Sequence, residues 1–407
     1  MTSTEPLRSL TANRSVKRIE SIDLLRGIVM VLMALDHTRD FFHAAALTDD
    51  PLNLATTTPE LYFTRWVTHF CAPIFVFLSG VSIYLQSQRK TKKELSAFLF
   101  KRGLWLILAE VVIITFAWTF NPFYNFIGLQ VIWAIGISMV ILAAAIRLPF
   151  NLVLLIGLVI VFGHNLLDVP ESAPGFKAGF FWDLLHHGHF AIYNLGEKNI
   201  LAIVYPFLPW TGLMLLGYCT GVFYNTKYTA ERRRRIFILS GISLLIFFAA
   251  LRYSNFYGDP MPWSGQNNGL LTFFSFINVQ KYPPSLLYMC VTIGPALILL
   301  ALIENVKNVF SKTMIVFGRT AFFYYIIHIF LIHILCAIFF FTRGHSLQTA
   351  IDAMENVPFL FQIPGEGYSL LVVYLVWIGV IVILYPVCKW YDKYKTAHKE
   401  RWWLSYL

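Results

Sequence analysis

The sequence predicts an all-α, polytopic membrane helical bundle of about ten transmembrane helices with both termini in the cytoplasm. Three observations predict it. The 407 residues are 57% hydrophobic and only 13% charged, where soluble domains carry about 25% charged residues. Apolar stretches of about twenty residues, long enough to cross the hydrocarbon core, recur along the whole chain. Most of the 32 Lys and Arg fall on one side of the resulting alternation, as the positive-inside rule requires of cytoplasmic segments.

The elements follow in order. Residues 1–20 form a basic tail with Arg8, Arg14, Lys17 and Arg18. It holds no short apolar core before a cleavage site, so the first helix is expected to serve as the insertion signal. Spans are expected near 21–44, 66–87, 103–120, 126–146, 150–166, 199–224, 236–252, 284–303, 314–341 and 367–389. They make one transmembrane domain over 21–389, closed by a cytoplasmic tail at 390–407. The outer segments hold seven cations, Arg39, Arg65, Lys177, Lys198, Arg252, Lys281 and Arg343, while Arg26 and Arg319 lie within spans. The net charge of +10 is therefore a matter of topology and anionic headgroups, and no nucleic-acid partner is expected. The five cysteines sit in or beside apolar spans and read as buried inert thiols. Two outer loops, 167–198 and 253–283, are rich in aromatic, Gly, Pro and amide residues. Such a surface suits a sugar, and it equally suits an interfacial belt of Trp and Tyr.

The first span carries ionisable groups at membrane depth, where they are expensive and usually functional. Arg26 and His37 are eleven residues apart, about 20° past three full helical turns, so they share one face about 16 Å apart along the axis. Asp36 adjoins His37, and Arg39, Asp40 and His43 follow. His37 faces Asp40, and Asp40 faces His43, each at three residues. A carboxylate beside an imidazole fixes its tautomer and raises its basicity, the arrangement that deprotonates an attacking amine or hydroxyl. The plain alternative is a polar cluster that ends the helix and meets water.

The second span adds His69, followed by Pro73, which frees a backbone carbonyl and can kink the helix. His69 lies toward the outer side, as His37 does, so the two are expected to meet; an ordinary interfacial histidine is the other reading. Glu110 at membrane depth needs a partner, and Arg26 or a histidine is expected to supply it. Gln130, His328 and His333 are further polar residues within spans. Arg319, Lys101 and Arg102 near the inner side suit a phosphate, or snorkel to headgroups. The run His186-His187-Gly188-His189 suggests a metal, yet no acidic or thiol partners cluster around it in sequence, and no metal is expected.

These residues together look familiar. Arg26 and His37 with ten residues between them are similar to the arginine–histidine signature of the acyltransferases that O-acetylate bacterial surface polysaccharides. The string Ser21-Ile22-Asp23-Leu24-Leu25-Arg26-Gly27 with Asp36-His37-Thr38-Arg39-Asp40-Phe41-Phe42 resembles more closely the bacterial relatives of heparan-α-glucosaminide N-acetyltransferase. Phe75 to Gly80, Tyr205 to Trp210, Lys281 to Ser285 and Gly318-Arg319 resemble that group too, so the likeness runs from about 18 to 340. The resemblance implies transfer of acetyl from cytoplasmic acetyl-CoA to an acceptor across the membrane. It makes His37 the acyltransferase histidine and Arg26 its partner toward the CoA side. His43, after Phe41-Phe42, matches the context of the lysosomal enzyme's histidine better, so both stay open. That enzyme's additional luminal domain has no counterpart here, which argues against heparan sulfate itself as acceptor.

The expected activity is thus acyl transfer from acyl-CoA to an amine or hydroxyl of an extracytoplasmic sugar or glycan. Catalysis is assigned to His37, Asp36, Asp40, His43 and His69, and CoA binding to Arg26, Lys101, Arg102 and Arg319. The expected setting is the cytoplasmic membrane, multi-pass, and a homo-oligomer is compatible with the chain. A different class is a proton-coupled transporter in which Asp36, His37, Glu110 and His328 relay protons.

Overall fold

The first span folds as one helix at the centre of the bundle. In the computed structural model, which describes residues 18–187 and 190–406, this helix, α1, runs Glu20–Phe42. Most of the basic tail expected over 1–20, and His189 of the histidine run, lie outside the described residues.

The span expected at 66–87 is two helices, α2 (Pro59–Thr68) and α3 (Cys71–Ser87), joined at His69 and Phe70. Pro73 lies in the first turn of α3, where a missing N–H costs least. It has no N–H to offer the carbonyl of His69 four residues back, and the Tyr288 hydroxyl donates there instead, at 2.8 Å. Next comes α4 (Lys92–Ala109), opened by a Thr91–Glu94 capping box. It passes through a π-helical turn, Glu110–Ile114, into a last helical turn at Thr115–Thr119. Then follow α5 (Val131–Ala145), α6 (Phe150–Gly163), α7 (Phe207–Thr220), α8 (Ala230–Ser254) and α9 (Leu286–Leu302). The span expected at 314–341 is again two helices, α10 (Val309–Arg319) and α11 (Ala321–Thr342), broken at Thr320. The last is α12 (Leu370–Ala397).

The bundle is mostly helical, but the expectation of a purely α fold needs correction. A three-stranded sheet, ordered β1 (Phe126–Leu129), β3 (Ile200–Ile203), β2 (Ala191–Asn194), pairs β1 parallel and β2 antiparallel to β3. The spans expected to begin at 126 and 199 therefore begin as strands, whose pairing satisfies backbone groups ahead of α5 and α7.

Among the described residues, six helices are long and apolar enough to cross a membrane: 59–87 taken through its joint, 150–171, 207–224, 230–254, 321–342 and 370–397. α5 and α9 are apolar but shorter. α6, α8 and α12 turn Leu155, Val159, Ile246, Leu375 and Val382 outward, an apolar surface that a bilayer covers and water does not. Polar α1 is instead buried along most of its length. Two glycines set its closest contact. A Cβ on Gly27 would lie 1.8 Å from the carbonyl oxygen of Met314, and one on Gly318 would lie 1.8 Å from that of Asp23. The backbones of α1 and α10 thus touch with no side chain between them.

Candidate active site

Backbone contact between α1 and α10 brings Arg26 and Arg319 to one opening. There, α1, α3, α4, α5 and α11 leave a cleft of about 300 Å³. Five cations surround its mouth: Arg18, Arg26, Arg102, Arg319 and Lys395. Asp23 sits among them, accepting from Arg18 at 3.0 Å and Arg26 at 3.2 Å. Arg26 also donates to the Ser82 hydroxyl at 2.8 Å, and Arg319 lies 3.5 Å from Asp392. Two carboxylates against five cations leave the mouth positive, a field that attracts and holds anions. Deeper in, the walls turn apolar with Met30, Phe75, Leu106, Ile135 and Met139. Met33 and Tyr325 are the innermost wall residues on α1 and α11 toward His37. One helical turn, about 6 Å, separates Met33 from His37.

His37 is half-buried just past that point. Its ring meets Trp118 edge-on at 4.8 Å and Tyr325 at 6.0 Å. Its Nδ1 lies 2.7 Å from Nε2 of His328, and the two rings are nearly coplanar, within 16°, with centroids 4.9 Å apart. The carboxylates expected to orient it do otherwise. Asp36 is held by Arg65 at 2.6 Å and Arg39 at 3.1 Å, and Asp40 accepts from Arg39 at 2.6 Å. Two guanidiniums outcompete a neighbouring imidazole because charge-assisted bonds are the stronger ones. These ion pairs, with Lys281 nearby at 8% exposure, form a charged layer just beyond His37. A buried Asp259 fixes the Lys281 loop, accepting from the Gln280 N–H at 2.9 Å and the Ser285 hydroxyl at 2.7 Å. Burial pushes the Asp259 carboxyl above the usual carboxylate range.

The remaining expected residues lie apart. His43 caps α1 beside Tyr368, and its Nδ1 accepts from the Ala45 N–H at 3.3 Å. His69 does not meet His37; its ring packs edge-on against Tyr288 at 5.5 Å. Lys101 is exposed and does not line the cleft, whereas Arg102 beside it does. Among the described residues Glu110 pairs with no cation or histidine: it accepts the Trp133 N–H at 2.8 Å, at the start of α5. A helix N-terminus offers such donors and a favourable dipole. The histidine run does gather carboxylates, from Asp183 just ahead of it and from the 168–171 turn. His186 Nδ1 lies 2.8 Å from Glu171 and its Nε2 lies 3.1 Å from His164, while His187 pairs with Asp183 at 2.7 Å. Donor atoms of Asp168, Glu171 and His186 all lie within 4.8 Å of one another.

The family described as heparan-alpha-glucosaminide N-acetyltransferase, catalytic, matches residues 18–251, more than half of the chain. The chain belongs to that family. No curated protein matches it significantly. The match includes α1 through most of α8 and ends before 340, where the likeness read from motifs stopped. In this heparan-alpha-glucosaminide N-acetyltransferase family member, part of the candidate site therefore lies outside the matched segment: Arg319, Tyr325, His328 and Lys395.

Some of these residues were hidden in the sequence. Lys395 and Arg18 read only as topology-setting charges, because nothing in a tail's sequence says which wall it joins. Arg65 read as one of the outer cations, and its pairing with Asp36 spans two helices. Trp118 carries no signal that separates it from the other aromatic residues of the spans.

Proposed function

We propose that this family member is a ten-span acetyltransferase of the cytoplasmic membrane, with both termini inside. It takes acetyl from cytoplasmic acetyl-CoA and passes it to an amine or hydroxyl of an extracytoplasmic sugar. The observation that carries this reading is the cleft itself. Its cationic mouth suits the phosphates of CoA, with Arg26, Arg102 and Arg319 as holders joined by Arg18 and Lys395. Its apolar throat suits the pantetheine arm and leads toward His37. The acceptor comes from the opposite side, past the layer of Arg39, Arg65 and Lys281.

His37 takes the proton of the attacking amine or hydroxyl. A bond forms from that nitrogen or oxygen to the thioester carbonyl carbon, the C–S bond breaks, and the CoA thiolate recovers the proton. An acetyl-histidine intermediate on His37 is an equally balanced route. His43, six residues further on, sits beyond the charged layer and serves as the comparison. A proton relay through Asp36, His37, Glu110 and His328 has less support. Of those four, only His37 and His328 hydrogen-bond to one another among the described residues.

Purified protein should bind acetyl-CoA by calorimetry and move labelled acetyl to a soluble amino sugar such as glucosamine. His37→Ala should keep binding and lose transfer. Protein that binds no acetyl-CoA, or a His37→Ala variant with undiminished transfer, overturns the reading.

A further inference from the structure

We infer that His328 is a positioning residue that locks His37 into one tautomer and leaves Nε2 of His37 as its basic nitrogen. The inference rests on the acetyltransferase reading and deepens it. It starts from a carbonyl oxygen, which only accepts. His328 Nδ1 lies 2.9 Å from the carbonyl oxygen of Tyr324, one turn back on α11, so Nδ1 carries the hydrogen. A neutral imidazole carries one such hydrogen, so Nε2 of His328 holds a lone pair. That Nε2 is 2.7 Å from Nδ1 of His37, which must therefore donate. His37 is left with an unprotonated Nε2.

The surroundings hold this arrangement. His328 is wholly buried. One face of its ring lies against Tyr324, nearly parallel at 5.1 Å, and its Nε2 edge meets the His37 ring almost in plane, within 16°. Rotating the ring would leave the Tyr324 contact and the His37 bond unmade together, and unmade buried bonds are costly. The carboxylates that could have oriented His37 from α1 are spent on Arg39 and Arg65. A neutral imidazole thus does here the orienting work often done by an acidic residue. His328 lies outside residues 18–251, so the family match does not supply this role. It comes from the contact between α1 and α11.

Two variants and one spectroscopic reading test it. His328→Gln keeps a carbonyl oxygen able to accept from His37 Nδ1–H, whereas His328→Phe keeps the ring and removes the acceptor. His328→Phe should lower kcat for acetyl transfer about a hundredfold, within the usual range for a disabled general base. Its KM for acetyl-CoA should change less than about threefold, and His328→Gln should recover most of kcat. Equal losses in both variants, or no loss in His328→Phe, overturn the inference. The tautomer is read independently by 15N solid-state NMR of histidine-labelled protein in lipid, with the His37 signals assigned by their absence in His37→Gln. A protonated Nδ1 and bare Nε2 on His37 support the inference; the reverse pattern sinks it. If wild-type protein transfers no acetyl, the acetyltransferase reading fails while the NMR still decides the tautomer.

Discussion

At the scale of single residues, the cations of α1 divide between the cleft mouth, where Arg26 lies, and the outer charged layer, where Arg39 lies. Arg26 lines the cleft mouth and bonds Ser82 and Asp23. Arg26→Gln should weaken acetyl-CoA binding about tenfold or more, since hydrogen bonds to charged groups are worth about 1.5–3 kcal/mol. Calorimetry with acetyl-CoA and its 3′-dephospho form checks this, and Lys101→Gln, altered off the cleft, should leave both affinities unchanged. His43→Ala should retain most transfer activity while His37→Ala loses it. The reverse order would hand the chemistry to the histidine after Phe41-Phe42. Asp36 behaves differently, because its partners Arg39 and Arg65 are themselves buried or nearly so. Asp36→Ala strands both guanidiniums and should cost about 3–5 kcal/mol of stability, seen as a lowered thermal midpoint in detergent.

Elements decide which of these residues meet. α1 and α10 touch through Gly27 and Gly318, and that contact sets Arg26 beside Arg319. Gly318→Val should force the helices apart, lower the thermal midpoint, and weaken acetyl-CoA binding. A Gly318→Val protein with wild-type binding would show that the α1–α10 contact does not build the mouth. Sequence periodicity made part of this legible. The eleven-residue spacing put Arg26 and His37 on one face, and in the structure both turn toward the Gly318–His328 stretch of α10 and α11. Pro73 signalled a freed carbonyl, which Tyr288 takes. Other features left no trace. His328 is 291 residues from His37, and single-chain periodicity says nothing about contacts that distant. The break at Thr320 and the strands before α5 and α7 sit in apolar runs whose length matched a span. Glu110 showed its need for a partner, but a backbone N–H has no letter in a sequence.

The whole molecule is a buried polar helix surrounded by helices with apolar outer faces, the reverse of a soluble bundle. That arrangement lets a charged cleft and a charged outer layer occupy opposite ends of α1, with His37 near the outer layer. The throat between them is apolar, which under the proposed reaction would keep water from the thioester and favour transfer over hydrolysis. The proposed sidedness can be read in sealed vesicles. Sealed proteoliposomes, sorted so that the cationic mouth faces the lumen, are loaded with acetyl-labelled CoA, and glucosamine is supplied only outside. Labelled N-acetylglucosamine should appear in the external medium, absent with His37→Ala, while CoA accumulates within. Labelled product formed only when acceptor and acetyl-CoA share a compartment would contradict the proposed sidedness.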